Sequence, residues 1–384
     1  MPKTPYVIPC ADDCPVKSDL EGIFSKIDEN ALDPRILCII HKSVENFPKF
    51  SDSKARNLGF SALFDFCVNL GYIYGLQKEQ EFRGGVYCEN KVVFPFVKIC
   101  PVCSAQKKEV VFLEKGSKKP ESAVIGKIGE ATLTGILDAY FNYLGNGFRA
   151  FLIRDTAEKK VDLVITDFKV VCLGEIKAKP LVSYPLCLEL SELNEKKHQL
   201  VDVKSNDVTR SYLFIPHINE YFDLGKTTDN DWPFGAALKI VSDKKNVAKI
   251  ITAWQQIFDE YAKTDDDAAF NWIRFLAFGG GAYKKNNIDD SKNRPGLDRT
   301  DDIKKGTYQV LRYGANYAIK CKEGNVKCVL VGNTYGETHR AYFEDIIKIR
   351  WTIDGTKTYN LFDAVIGLTD NRFNDEYLKK HLKM

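Results

Sequence analysis

Apolar residues recur every three or four positions through "AVIGKIGEATLTGILDAYFNYLGN" (123–146), which predicts an amphipathic helix ended by the glycines of "GNG". The period then changes. "FRAFLIRD" (148–155), "VDLVIT" (161–166) and "VVCLGEIK" (170–177) are short apolar runs that read as three successive strands, the last two joined by a polar turn around Asp167–Lys169. Helical spacing returns in "NVAKIITAWQQIFDEYAK" (246–263), where Val247, Ile250, Ile251, Trp254, Ile257, Phe258 and Tyr261 share one face. It returns again in "DIKKGTYQVLRYGANYA" (302–318), which has acids at its start. After the turn "KEGN", the run "VKCVLVGN" (326–333) reads as a further strand. The chain is therefore expected to be mixed α/β. Its segment 181–298 is too long for a plain connection and must carry structure of its own.

Charges interrupt this pattern at a few places. Asp162 opens an otherwise apolar strand, while Glu175 and Lys177 lie two apart in the next and so project from the same face. In the helix before them, Glu130 falls on the stripe formed by Leu133, Leu137, Tyr140 and Leu144. Burying such groups without partners costs several kcal/mol, about 2 to 7 for a neutral polar group and more for a charge, or it shifts their pKa values. A bound cation or phosphate would explain them. The plainer alternatives are surface charges on an edge strand and, for Glu130, a carboxylate reaching water from a helix edge.

Asp162, twelve residues, then Glu175-Ile176-Lys177 resembles the signature of the PD-(D/E)xK nuclease superfamily, which includes most type II restriction endonucleases. Acid-x-Lys also occurs at Asp52–Lys54, Glu195–Lys197 and Asp302–Lys304, among others, but only Glu175–Lys177 ends an apolar strand that follows another apolar strand with its own acid. The nearest rival, Asp231 with Asp243 and Lys245, follows the loop-like "TTDNDWP". The resemblance implies an αβββαβ core of the restriction-endonuclease type, interrupted by a large insertion and extended at both ends. It also implies that Asp162, Glu175 and the Ile176 carbonyl hold Mg²⁺, that Lys177 acts on the attacking water, and that Glu130 supplies a further acid. Gln309 and Tyr313, at i, i+4 spacing, resemble the Gln-x-x-x-Tyr motif found beside the active site in some of these nucleases. The implied activity is Mg²⁺-dependent, sequence-specific cleavage of double-stranded DNA to 5′-phosphate and 3′-hydroxyl ends. A type II enzyme would act as a homodimer beside a cognate DNA methyltransferase in a prokaryotic cytoplasm. A non-catalytic zinc-containing DNA-binding protein, or a repair or RNA-processing nuclease of the same superfamily, is the alternative.

The boundaries that follow are an N-terminal region 1–115, a first core part 116–180, an insertion 181–298 and a second core part with a C-terminal addition, 299–384. Within the insertion, the glycine-rich and basic run "GGGAYKKNNIDDSKNRPG" is expected to be a loop. There Tyr283, Lys284, Lys285, Asn286 and Asn287 offer donors suited to phosphates and base edges. In the N-terminal region, Cys100-Pro-Val-Cys103 has the spacing with which two thiolates grip a tetrahedral zinc. Cys88, or Cys10 and Cys14, are candidate partners; no second Cys-x-x-Cys exists to supply the fourth ligand, and a redox pair or two unliganded cysteines are the alternatives.

Composition narrows the classes further. The 384 residues, 44% hydrophobic, suffice for two or three domains with real cores. No apolar run approaches the roughly 18 residues of a membrane span, and "MPKTPYVIPC" lacks a secretory h-region, so a soluble intracellular protein with no membrane partner is expected. Eleven scattered cysteines are an odd number and fit reduced thiols better than a disulfide framework. A formal net charge of +3 is too small to identify a polyanionic partner by itself.

Overall fold

The structure is a computed structural model. It describes residues 6, 8, 10–46, 53–78, 81–94, 98–115, 122–154, 161–192, 195–262, 272–273, 282–284, 287–289, 294–321, 325–336, 343, 345–347, 350–353, 355, 357–360, 362–369 and 372–382. Along the chain come α1 (Lys17–Phe24), α2 (Pro34–Asn46), α3 (Ser53–Gln77), β1 (Glu81–Cys88), β2 (Lys91–Phe94), α4 (Pro101–Lys107) and α5 (Ser122–Leu144). Then follow β3 (Arg149–Leu152), β4 (Leu163–Thr166), β5 (Val171–Lys177), β6 (Leu186–Leu190), β7 (Leu200–Lys204), β8 (Val208–Ile215) and β9 (Glu220–Gly225). The rest comprises α6 (Phe234–Ser242), α7 (Lys244–Ala262), β10 (Ala282–Lys284), β11 (Asn287–Asp289), α8 (Thr300–Tyr313), β12 (Val326–Gly332), β13 (Arg350–Ile353), β14 (Lys357–Asn360), β15 (Ala364–Gly367) and α9 (Asp375–Leu382).

One sheet is mixed, in the order β15-β12-β5-β4-β3. Strands β3, β4 and β5 run antiparallel in succession, and β12 and β15 continue parallel to β5. Helix α5 therefore leads into three antiparallel strands, and α8 leads into the parallel strand β12, in the order the pattern predicts. Both faces are covered. Leu163, Ile165, Cys172 and Ile176 belong to the core shared with α2, α3, α5 and α7. Val164, Val171 and Leu173 face the opposite core, which α8 closes with Ile303, Val310 and Tyr313. A sheet buried on both sides needs near-continuous apolar runs, which is why these strands lack a polar alternation. The α8 helix runs on through a π-helical turn, Gly314–Ala318.

The second sheet is antiparallel throughout, in the order β7-β1-β2-β6-β8-β9. Strands β1 and β2 come from the N-terminal region and β6 to β9 from the segment after residue 180, so two stretches separated by sequence boundaries share one sheet. The basic run at 282–289 departs from the expected loop: Ala282–Lys284 and Asn287–Asp289 pair as a short antiparallel ribbon. Lys285 and Asn286 lie outside the described residues, as do the side chains of Tyr283, Lys284 and Asn287. Nine of the eleven cysteines are free, and Cys10 and Cys14 are joined as a disulfide. Four residues of separation suffice to bring their Cα atoms to 6.0 Å, within reach of a bridge. Among the described residues, no helix is long and apolar enough to cross a membrane.

Candidate active site

The β4–β5 hairpin sets the geometry. Its turn is fixed by Asp167, whose Oδ1 accepts from the N–H groups of Lys169 and Val170, and by the Thr166 hydroxyl, which donates to the Val170 carbonyl. The resulting register pairs Leu163 with Gly174. Immediately outside the strand, the Asp162 N–H donates to the Gly174 carbonyl at 3.0 Å. The Asp162 carboxylate accepts the Ile176 N–H, also at 3.0 Å. Asp162 is thus tied across the last residues of β5, next to Glu175.

Glu175 itself is buried in a central strand, between β4 and β12, which removes the edge-strand reading. Its two oxygens are both engaged: Oε1 accepts from the Lys177 ammonium at 2.5 Å, and Oε2 from the Tyr313 hydroxyl at 2.8 Å. Lys177 also donates to the Ile176 carbonyl at 3.3 Å. The approach of α8 to this edge depends on Gly306, where an added Cβ would meet Leu330 at 2.8 Å and Lys177 Cγ at 3.6 Å. On the other side α5 comes equally close: a Cβ on Gly129 would sit 2.7 Å from the Ala178 carbonyl oxygen. That contact brings the neighbouring Glu130, half-buried, within electrostatic range of Asp162.

Three acids and one ammonium converge here, and their protonation reflects it. Burial, then the charge of Glu175, push the Asp162 carboxyl up to about 7, with Glu130 adding to the rise and the Ile176 N–H and Lys177 opposing it. For Lys177, burial acts to lower the pKa. The charge and hydrogen bond of Glu175, helped by Asp162 and Asp302, outweigh burial and hold the ammonium above its usual range. Lys177 is therefore a cation at neutral pH, able to orient and donate but not to abstract a proton. The Tyr313 phenol is raised by burial and by the neighbouring acids, so it remains a hydrogen-bond donor.

The donors gathered here are oxygens, the chemical class that hard divalent cations take. They are the carboxylate oxygens of Asp162 and Glu175 and the Ile176 carbonyl, which now accept from the Ile176 N–H, Lys177 and Tyr313. Two acids crowded so that one holds its proton near pH 7 form a site whose repulsion a cation would relieve.

The other expected positions are distributed differently. Tyr313 is buried with its hydroxyl on Glu175, so it supports the acid instead of meeting a ligand at the surface. Gln309 is half-buried one turn earlier and accepts from Arg312 at 3.5 Å. The rival acids Asp231 and Asp243 occupy a turn and a helix start, where Asp243 accepts the Lys245 N–H at 2.8 Å. Asn333 carries no local sequence signal. At the end of β12 it exchanges two hydrogen bonds with the Lys179 backbone, 3.0 and 2.7 Å, and so holds the chain leaving β5.

A second cluster lies in the six-stranded sheet. Cys88, Cys100 and Cys103 come together, and His198 joins them, with all four ligand atoms within 4.8 Å of one another. These residues could hold a metal. Cys10 and Cys14 do not join them; they lie beside Cys321, and their sulfurs are bonded to each other. His198 is 95 residues from Cys103 and carries no local spacing signal, so only the pairing of β7 with β1 reveals it. In comparisons with protein-family models, curated proteins and solved structures, nothing matches the chain.

Proposed function

We propose that the chain is a Mg²⁺-dependent nuclease of the PD-(D/E)xK type, cleaving double-stranded DNA at specific sequences as type II restriction endonucleases do. The observation that carries the reading is the convergence of Asp162, Glu175 and Lys177 at one end of β4 and β5, flanked by Glu130 on α5 and by α8. The connectivity around them, a helix, three antiparallel strands, a second helix and a parallel strand, supports the same reading.

Hydrolysis of a phosphodiester requires in-line attack by water while negative charge grows on the phosphate oxygens. Mg²⁺ held by Asp162, Glu175 and the Ile176 carbonyl would lower the pKa of bound water and neutralise part of that charge. The protein groups do the rest. Asp162 and Glu175 hold their positions through the Ile176 N–H and the Tyr313 hydroxyl. The Lys177 ammonium, cationic at neutral pH, orients the water and stabilises the charge on phosphate. Glu130 adds negative charge that Asp162 feels and that favours a cation there. The expected partners are double-stranded DNA, a second copy of the chain for two-strand cleavage and a methyltransferase that protects the same sequence.

The test incubates the purified chain with unmethylated phage DNA in Mg²⁺ or EDTA, beside a Glu175→Ala, Lys177→Ala double variant. Discrete Mg²⁺-dependent fragments, absent with the variant, support the proposal. Intact DNA that is nevertheless bound would replace it with the non-catalytic DNA-binding reading.

A further inference from the structure

We propose that Cys88, Cys100, Cys103 and His198 form a closed, structural zinc site that ties the β1–β2 hairpin to the strand entering from beyond residue 198. The site is assembled from three separate pieces of chain. Cys88 ends β1, Cys100 and Cys103 open α4, and His198 precedes β7. Each is held in place by backbone. Cys100 is the N-cap of α4, and the Cys103 N–H points at its sulfur at 3.5 Å, so both sulfurs project to one point from a single tight turn. The Cys100 N–H donates to the Val111 carbonyl at 2.9 Å, which folds the following segment back over the turn. His198 adopts a positive φ of 68°, and its N–H donates to the Tyr87 carbonyl at 2.8 Å, so it is fixed beside the residue that precedes Cys88.

Two spacings among the four ligand atoms are close to those around a tetrahedral ion. Zinc–sulfur and zinc–nitrogen bonds of about 2.3 and 2.0 Å place neighbouring ligand atoms roughly 3.5 to 3.8 Å apart. Here Cys88 Sγ and Cys103 Sγ are 3.5 Å apart, and Cys103 Sγ and His198 Nε2 are 3.4 Å apart. Three thiolates and an imidazole are soft and borderline donors, which select zinc over Mg²⁺. Four protein ligands leave no open position for substrate, and the three cysteines are buried, so the metal's role is structural. It also has something to stabilise. The apolar cluster around it is small, with Val86, Val93, Val102, Leu113 and Phe214 as its main members besides the cysteines. A small core of this kind is the setting in which a metal staple contributes most.

The site is independent of Asp162 and Glu175, and its test reads metal content instead of cleavage. The full chain, purified under reducing conditions without chelator, is analysed by plasma mass spectrometry. About one zinc per chain is expected, falling to a trace in Cys103→Ser and His198→Ala and persisting in His198→Cys, which restores a fourth ligand. Apoprotein loaded with Co²⁺ should develop the sulfur-to-metal charge-transfer and intense d–d absorption of a tetrahedral thiolate site. Glu175→Ala should keep its zinc, which separates this site from the proposed Mg²⁺ site. Wild-type protein with only trace zinc and no Co²⁺ bands would overturn the proposal, as would a disulfide among Cys88, Cys100 and Cys103. An unchanged metal content and Co²⁺ spectrum in His198→Ala would remove His198 from the site.

Discussion

At the scale of single residues, the most informative group is Asp162. Its carboxyl is pushed from 3.8 to about 7, chiefly by burial and by Glu175. Between those two values the folded state keeps a proton that the unfolded chain releases, so the site's contribution to stability falls as pH rises from about 4 to about 7. A bound cation takes only the ionised form. Mg²⁺ should therefore raise the thermal midpoint strongly at about pH 8 and little at about pH 5.5, a comparison that melting curves with and without EDTA decide. Asp162→Asn keeps an acceptor for the Ile176 N–H but cannot carry the charge. In EDTA at about pH 8 it should melt at or above the wild-type temperature and should show no response to Mg²⁺. Lys177 makes the complementary case. Lys177→Met removes the cation but neither carboxylate, so the Mg²⁺-dependent stabilisation should survive. DNA cleavage should fall by about 10² to 10⁴-fold, the range attributed to one positioned donor or charge. Loss of both responses together would instead make Lys177 a structural partner of Glu175.

At the scale of elements, the site exists because α5 and α8 approach the strand ends closely, and glycine makes that approach possible. On α5, Gly126 has nothing within 4 Å of an added Cβ, whereas Gly129 would place one 2.7 Å from the Ala178 carbonyl oxygen. Replacing an interior helical glycine by alanine gains up to about 1 kcal/mol of helix propensity, while forcing atoms into a filled contact costs about 1 to 3 kcal/mol. Gly126→Ala should therefore stabilise the chain by a few tenths to about 1 kcal/mol. Gly129→Ala should destabilise it by about 1 kcal/mol and weaken the Mg²⁺ response, because backbone on both sides resists the shift. Denaturant titration of the pair checks the sign of each change. The same elements show why part of the fold was legible in the sequence. Helices α5, α7 and α8 and strands β4, β5 and β12 carry strong apolar periods or runs, and they lie where those patterns predict. Helix α3 hid its identity because apolar residues surround it: Phe60, Leu63, Phe64, Phe66, Cys67 and Leu70 are all buried. Strand β7, "LVDVK", hid for the opposite reason, since only Val203 in it is buried. His198 and Asn333 owe their roles to pairing across the fold, which local spacing does not encode.

At the scale of the molecule, one buried carboxylate shows how the two sheets are joined. The chain leaves β5 at Lys177 and enters β6 at Leu186, and between them it passes beneath α3. There Asp65 accepts from the N–H groups of Leu181 and Val182, at 3.3 and 2.8 Å, and from the indole N–H of Trp254 on α7, at 2.7 Å. One turn later, Asn69 donates to the Val182 carbonyl and accepts the Tyr184 N–H. Burial drives the Asp65 carboxyl up to about 8, only partly offset by Trp254, Val182 and Leu181. Folding thus retains a proton there that the unfolded chain loses above about 4, so this group's contribution to stability also declines as pH rises, through a window that ends near 8. Removing the carboxylate is a larger perturbation than either protonation state. Asp65→Ala would leave three buried N–H donors without acceptors, at about 1 to 3 kcal/mol for each, so a loss of at least about 3 kcal/mol is expected. Both sheets contribute to the same core, in which Leu163 and Ile176 of one and Phe82 and Leu213 of the other are buried together. The wild-type chain should therefore unfold in one calorimetric transition despite its 384 residues. Two resolved transitions in the wild-type protein would show that the sheets fold as separate units and that Asp65 links neighbours without sharing one cooperative core.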